Sequence, residues 1–201
     1  TRSADHETRM KVLSRLREYS VRVNNDKLWF AKGSLEAMSG NHEQAIADFD
    51  NALKISPDYT NAILGKTQSM IALNKQDQAV KFLAENVSLW PENKRLGVVY
   101  ARYLIQMGQL NAAEEQFFRL TKSFPRDGDL VLSLALLSWE NNDTENARKH
   151  FQRLLSMQHR SDEANVYLAR IALSENDLET AKKHFQQVTD GPNFAVAQVQ
   201  L

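Results

Sequence analysis

Cysteine is absent from the 201-residue chain. Disulfides, thiolate metal sites, cysteine nucleophiles and iron–sulfur clusters are excluded together. Proline and glycine are scarce, at four and seven residues. A many-turned β sandwich needs more of both, whereas a helical chain needs little of either. No apolar run approaches the roughly 20 residues of a membrane helix. Neither sign of charge is in excess: 25 Lys and Arg face 25 Asp and Glu. The basic footprint of a nucleic-acid binder is therefore missing. Catalytic and cofactor signatures are missing too: there is no H-E-x-x-H, phosphate-binding Walker loop, G-x-G-x-x-G or G-x-S-x-G. Of the five histidines, His150 and His184 stand 34 residues apart. No carboxylate shares their spacing, so they read as solvent-side helix residues and not as a metal pair. The composition describes a helical chain with no enzyme chemistry, no metal and no cofactor.

What is present is periodicity. Pro57, Pro91 and Pro125 are spaced by 34 residues, and Ala45, Ala79, Ala113, Ala147 and Ala181 step by the same interval. An apolar residue follows four positions later at Phe49, Leu83, Phe117, Phe151 and Phe185. A third, small position falls at Gly33, Thr67, Ala101, Ala135 and Ala169. A fixed period of this length is the mark of stacked helical pairs. The units are 26–59, 60–93, 94–127, 128–161 and 162–195. Each divides into helix A, a short turn and helix B, which the proline ends in the first three units. The turns carry Gly40, Asn74, Gly108, Asn142 and Asn176, residue types that suit the left-handed position closing a helix. The small residues let helices A and B approach within about 8–10 Å, and the Phe beside them fills the gap.

The ends are less regular. Residues 1–6 read as a disordered start. Residues 7–23 read as one helix, with Val12, Leu13, Leu16, Tyr19 and Val23 on an apolar stripe, in the place of helix B of a preceding incomplete repeat. Gly191 and Pro192 restart a helix with Phe194, Ala197 and Val199 on its apolar side, of which 196–201 is a truncated beginning. An apolar solenoid end without a polar cap is poorly soluble. The expectation is a fragment of a longer protein or self-association through the ends.

These positions resemble the tetratricopeptide repeat, W-x2-L-G-x2-Y, then A-x3-F-x2-A, then P. Unit 1 supplies Trp29, Gly33, Ala45, Phe49, Ala52 and Pro57; unit 3 supplies Tyr100, Ala101, Gly108, Ala113, Phe117 and Pro125. The pattern departs at the mid-helix aromatic, which is Glu36, Met70, Leu104, Ser138 and Ala172, and at the last proline, which is His159 and Asn193 in units 4 and 5. The resemblance implies an all-α, right-handed superhelical solenoid of antiparallel helix pairs. It also implies a concave groove lined by unit positions 2, 5, 9 and 12 of helix A. There the chain places Phe30, Leu64, Gln68, Arg95, Val98, Arg102, Leu132, Leu136, Trp139 and Arg170. Apolar anchors with cationic points suit an extended segment or helix bearing a carboxylate. The competing reading is that positions 5 and 12 pack against the next unit. Trp139 and the arginines are favoured as contacts because both types are enriched at hot spots. The carboxylate clamp of chaperone-binding members is not reproduced. Its positions hold Phe30, Ser34, Gly65, Arg95 and Val99, of which Arg95 alone matches.

The C-terminal third is similar to the repeats of large bacterial envelope lipoproteins. Tyr167, Leu168, Arg170, Ile171, Ala172, Ala181, Phe185, Val188, Gly191, Ala197 and Gln198 carry that likeness. It implies a non-enzymatic adaptor that delivers cell-wall hydrolases to a periplasmic carboxyl-terminal processing protease, with a lipid anchor upstream of this chain. Partners would be proteins or peptides, and the location periplasmic, with cytoplasmic as the alternative. Two other readings stay open: a periplasmic repeat domain of cytochrome c maturation that captures an apocytochrome helix, and the repeat arm of a glycosyltransferase.

Overall fold

A computed structural model describes residues 2–189 and Phe194. Among the described residues there are eleven α-helices and no strand. They are α1 (Arg2–Arg22), α2 (Asp26–Met38), α3 (His42–Ile55), α4 (Thr60–Ala72), α5 (Gln76–Leu89), α6 (Lys94–Gln106), α7 (Leu110–Ser123), α8 (Gly128–Glu140), α9 (Thr144–Ser156), α10 (Ser161–Ser174) and α11 (Leu178–Gln186). The even-numbered helices are the A helices of units 1 to 5, and the odd-numbered helices from α3 to α11 are their B partners. No helix among the described residues is long and apolar enough to cross a membrane.

Local chemistry sets the helix ends. The Asn25 carboxamide accepts the Lys27 and Leu28 amides at 2.9 and 3.2 Å. Asp127, Asp143 and Asp177 cap α8, α9 and α11 in the same way, satisfying amides that have no partner inside the helix. The Asn146 amide holds the Asp143 carboxyl below its ordinary value, and the hydroxyl and amide of Thr180 do so for Asp177. Every A-to-B turn uses one device. Gly40, Asn74, Gly108, Asn142 and Asn176 all have φ between 58° and 84°. The next residue's amide then reaches five residues back, as Gln109 does to the Leu104 carbonyl at 2.8 Å. This is the left-handed closure expected of Gly and Asn at a helix C-terminus.

The chain divides into two compact units, residues 1–100 and 101–201, with the boundary inside α6. In the first, the Phe49 ring on α3 is packed between the glycines of α2 and α4. A Cβ added to Gly33 would meet the ring at 2.9 Å, and one added to Gly65 would meet it at 2.7 Å. Ala45, Ala52 and Ala62 complete this core, with Trp29, Phe30 and Tyr59 packed against it. In the second unit Val131, Ala135, Ala147, Phe151, Leu154, Leu168 and Ile171 form the main cluster. Val166, Ala169, Phe185 and Val188 form a smaller one beside it. The periodic alanines, the apolar residues four positions later and the small helix A residues are buried in all five repeats.

Three expectations need correction. Helix α1 already begins at Arg2, inside the stretch read as disordered. Its stripe is narrower than drawn: Leu13 is buried, but Val12 and Val23 are both 42% exposed. Val12 lies about 100° around the helix from Leu13, and Val23 follows the last helical turn. Unit 4 ends differently from units 1 to 3 because His159 stands at the proline position. A proline lacks an N–H, whereas His159 donates its amide to the Leu154 carbonyl at 3.1 Å. Gln158 and Arg160 take positive φ around it, and α10 starts one residue before the repeat frame. The restart at Gly191 and the helix expected over 196–201 lie outside the described residues.

Candidate partner-binding faces

In the first unit, the expected groove residues divide between core and surface. Phe30 is half-buried, with its ring 5.8 Å from Phe49 and 5.2 Å from Tyr59. It packs into the core. Leu64 and Val98 are half-buried and Gln68 is exposed. Arg95 is exposed, and its Nη1 donates to Asn61 Oδ1 at 2.6 Å. These two residues hold position 2 of successive repeats, so the bond ties one repeat to the next. Beside it the Asn93 carboxamide donates to Thr60 Oγ1 at 2.6 Å. Arg95, Asn61, Asn93, Lys27 and Tyr59 line a polar cleft of about 460 Å³.

A charged pair in this unit escaped the sequence reading. Lys32 Nζ lies 2.6 Å from Asp48 Oδ1, with side chains 8% and 1% exposed. Lys32 also sits 5.0 Å from the Trp29 ring centroid. Burial pushes the Asp48 carboxyl above its ordinary value against the opposing pull of Lys32. The repeat pattern gives no signal for the pair, because no other unit holds an acid at the Asp48 position: Lys66 recurs at the lysine position in unit 2 but faces Phe82, and unit 4 has Leu134 with His150.

In the second unit, position 5 goes inward: Leu132 is 8% and Val166 3% exposed. Leu132, expected in the groove, is a core residue here, where it joins the cluster with Phe151 and Leu168. Positions 9 and 12 stay accessible. Arg102 lines a cleft of about 360 Å³ with Ile105, Phe117, Leu136, Leu137 and Glu140. Its walls come from α6, α7 and α8. Leu136 and Trp139 are half-buried against the main core cluster. Trp139 meets Tyr167 edge-on at 6.1 Å, Phe151 stacks on Tyr167 at 4.8 Å, and the Arg170 guanidinium lies 5.3 Å from the Tyr167 centroid. Tyr167 thus organises the face between α8 and α10. The sequence pattern places Tyr167 among the residues of family likeness and not among the groove residues, although an aromatic three residues before an arginine on a helix is a readable pairing.

The two spaced histidines are half-buried, not solvent-side. His184 Nδ1 is 2.9 Å from Asn165 Oδ1. Burial lowers both histidine pKa values, helped by Arg153 at His150 and Arg148 at His184. Among the described residues, no group of three or more His, Asp or Glu is placed to hold a metal ion.

These repeats match known proteins. Tetratricopeptide repeat family models match residues 37–85, 101–158 and 132–193. The chain belongs to the tetratricopeptide repeat family. Solved structures resemble it at the level of the fold. YrrB, described as a TPR protein with an unusual peptide-binding site, is 14% identical with a TM-score of 0.65, over 93% of this chain and 96% of that one. MamA is 15% identical with a TM-score of 0.63, over 81% of this chain and 89% of that one. PilF of Pseudomonas aeruginosa is 15% identical with a TM-score of 0.59, over 98% and 92%. Among curated proteins, the CTR9 homolog of Arabidopsis thaliana is 23% identical over 156 residues, or 74% of this chain. The match spans 14% of that protein's length.

Proposed function

We propose that this tetratricopeptide repeat protein is a non-catalytic scaffold that holds protein or peptide partners on its A-helix faces. In its finer form the proposal is an envelope adaptor that brings cell-wall hydrolases to a periplasmic protease. The observation that carries the scaffold reading is the surface formed by Arg102, Trp139 and Arg170. Two exposed guanidinium groups accompany a half-buried indole that packs against the main core cluster. Trp and Arg are the residue types that dominate binding energy at interfaces. Peptide binding by a repeat protein of similar fold supports the same reading. The likeness of Tyr167–Ala172 and of Ala181, Phe185 and Val188 in the same repeat to envelope lipoproteins supports the finer one.

Affinity capture from a bacterial envelope extract tests it, with the parent chain compared with an Arg102→Glu, Trp139→Ala variant. A processing protease or cell-wall hydrolase retained by the parent and lost by the variant is the expected result. Equal retention by both removes the A-helix face from the site. Capture of cytochrome maturation proteins instead replaces the adaptor reading with that one.

A further inference from the structure

Arg102 and Arg170 both occupy position 9 of helix A, in repeats 3 and 5, with Leu136 at position 9 between them. Both arginines are exposed. Among the described residues, neither has a carboxylate within ion-pairing distance. The Arg170 guanidinium is held over the Tyr167 ring, which orders it without neutralising it. Leu136 and Trp139 form a half-buried apolar strip between the two charges, with the cleft of about 360 Å³ opening beside Leu136. Glu140 lines that same cleft beyond ion-pairing distance of Arg102. A carboxylate seated at the centre of the site would face Glu140, so the central group must be neutral.

We infer that this face recognises an extended peptide segment of a partner, with one apolar anchor flanked on both sides by carboxylates. The inference rests on the scaffold reading above. Helices packed through their side chains stand about 10 Å apart, which puts the two guanidinium groups about 20 Å apart across three A helices. An extended polyproline II segment rises about 3.1 Å per residue with three residues per turn, so residues i, i+3 and i+6 share one face and cross that span in about six steps. The recognised pattern is therefore acid–x–x–apolar–x–x–acid, with each acid paired to one arginine and the anchor in the Leu136 cleft. A nine-residue helix, at about 1.5 Å per residue, is too short to reach both charges.

A displayed library of random nine-residue peptides, selected on the full chain, tests this directly. The expected result is enrichment of the acid–x–x–apolar–x–x–acid pattern, with binding of an enriched peptide weakened about tenfold or more when both acids become amides. The Arg102→Glu, Arg170→Glu variant should then select basic–x–x–apolar–x–x–basic peptides. That reversal is a gain which an unfolded variant cannot produce. Enrichment of any other pattern overturns the inference and leaves the scaffold reading standing. Failure to enrich any peptide counts against both.

Discussion

Lys32 and Asp48 form an ion pair of 2.6 Å inside the first helical pair, with almost no exposure to water. Asp48 Oδ1 also takes the Gln44 carboxamide at 3.4 Å, while Oδ2 is buried without a hydrogen-bond partner among the described residues. A buried pair of this kind is costly to break, because the surviving charge stays desolvated. Asp48→Ala should therefore destabilise the chain by about 3–5 kcal/mol, read from urea unfolding at neutral pH.

The same pair gives a pH dependence whose sign is unusual for a salt-bridged aspartate. Burial raises the Asp48 carboxyl above its ordinary value, and this outweighs Lys32. The folded chain then binds the proton more tightly than the unfolded chain. Stability from this group is lost as pH rises through the raised value and recovered as pH falls toward about 3.9. Compared with Asp48→Asn, the parent should gain relative stability as pH drops from 7 to 4. A relative loss over that range would show that Lys32 wins and holds the carboxyl low.

The packing of Phe49 makes a third prediction. Gly33→Ala and Gly65→Ala would each place a methyl under 3.0 Å from the Phe49 ring. Overpacking costs about 1–3 kcal/mol, against a helix-propensity gain of about 1 kcal/mol for replacing a mid-helix glycine. Each substitution should lower the melting temperature in the parent. Gly65→Ala should raise it in a Phe49→Leu background, where the ring no longer opposes the methyl, whereas Gly33→Ala should gain less there because its methyl still meets the Ala45 carbonyl oxygen at 3.2 Å. The change of sign at Gly65 is the diagnostic, because propensity alone gives a gain in both backgrounds.

How far the molecule was legible follows from which features repeat. Ala45, Phe49 and Gly33 report one contact, which recurs every 34 residues, so unit frame, helix pairing and core could be read together. The left-handed turns were legible for the same reason: only Gly or Asn occurs at Gly40, Asn74, Gly108, Asn142 and Asn176. What does not repeat was hidden. Lys32 and Asp48 are apart in sequence, and the pair does not recur: unit 2 keeps the lysine as Lys66 but puts Phe82 in place of the aspartate. Tyr167 gains its role from Trp139 on α8 and Phe151 on α9, with Arg170 on its own helix. Leu132 shares a position with Leu64, yet repeat 4 buries it where repeat 2 leaves Leu64 half-exposed, because burial depends on what each neighbour supplies. Of the groove residues, Arg102 and Leu136 come together in one cleft, while Phe30 and Leu132 turn to the core.

The turns allow a test of pure backbone strain. Gly108 has φ of 72°, and a Cβ there would meet nothing within 4 Å. Gly108→Ala thus changes conformational energy without changing packing. It should cost about 1–2 kcal/mol, and Gly108→Asn should cost less, since Asn142 and Asn176 already hold the equivalent place. Equal losses for Ala and Asn in thermal melts would mean that side-chain type at this position is irrelevant.

His159 turns the repeat pattern against itself. Units 1 to 3 carry proline at its position, so His159→Pro looks like a stabilising return to the pattern. The structure gives the opposite sign. The His159 amide donates to the Leu154 carbonyl at 3.1 Å, and a proline has no hydrogen to give. Gln158 sits at φ of 53°, in the left-handed region, and a following proline pushes its neighbour toward extended backbone. The His159 ring is also lodged where a Gly128 Cβ would stand, within 2.3 Å, and its Nε2 lies 3.0 Å from Asp129 Oδ1. The lost hydrogen bond alone is worth about 0.5–1.5 kcal/mol, and the forced turn adds to it. His159→Pro should therefore lower the unfolding free energy by about 1–3 kcal/mol, and His159→Ala, which keeps the amide, should lower it less. A rise in stability with proline would mean that the turn can be rebuilt in the form used at Pro57, Pro91 and Pro125, with α10 moved back into the repeat frame.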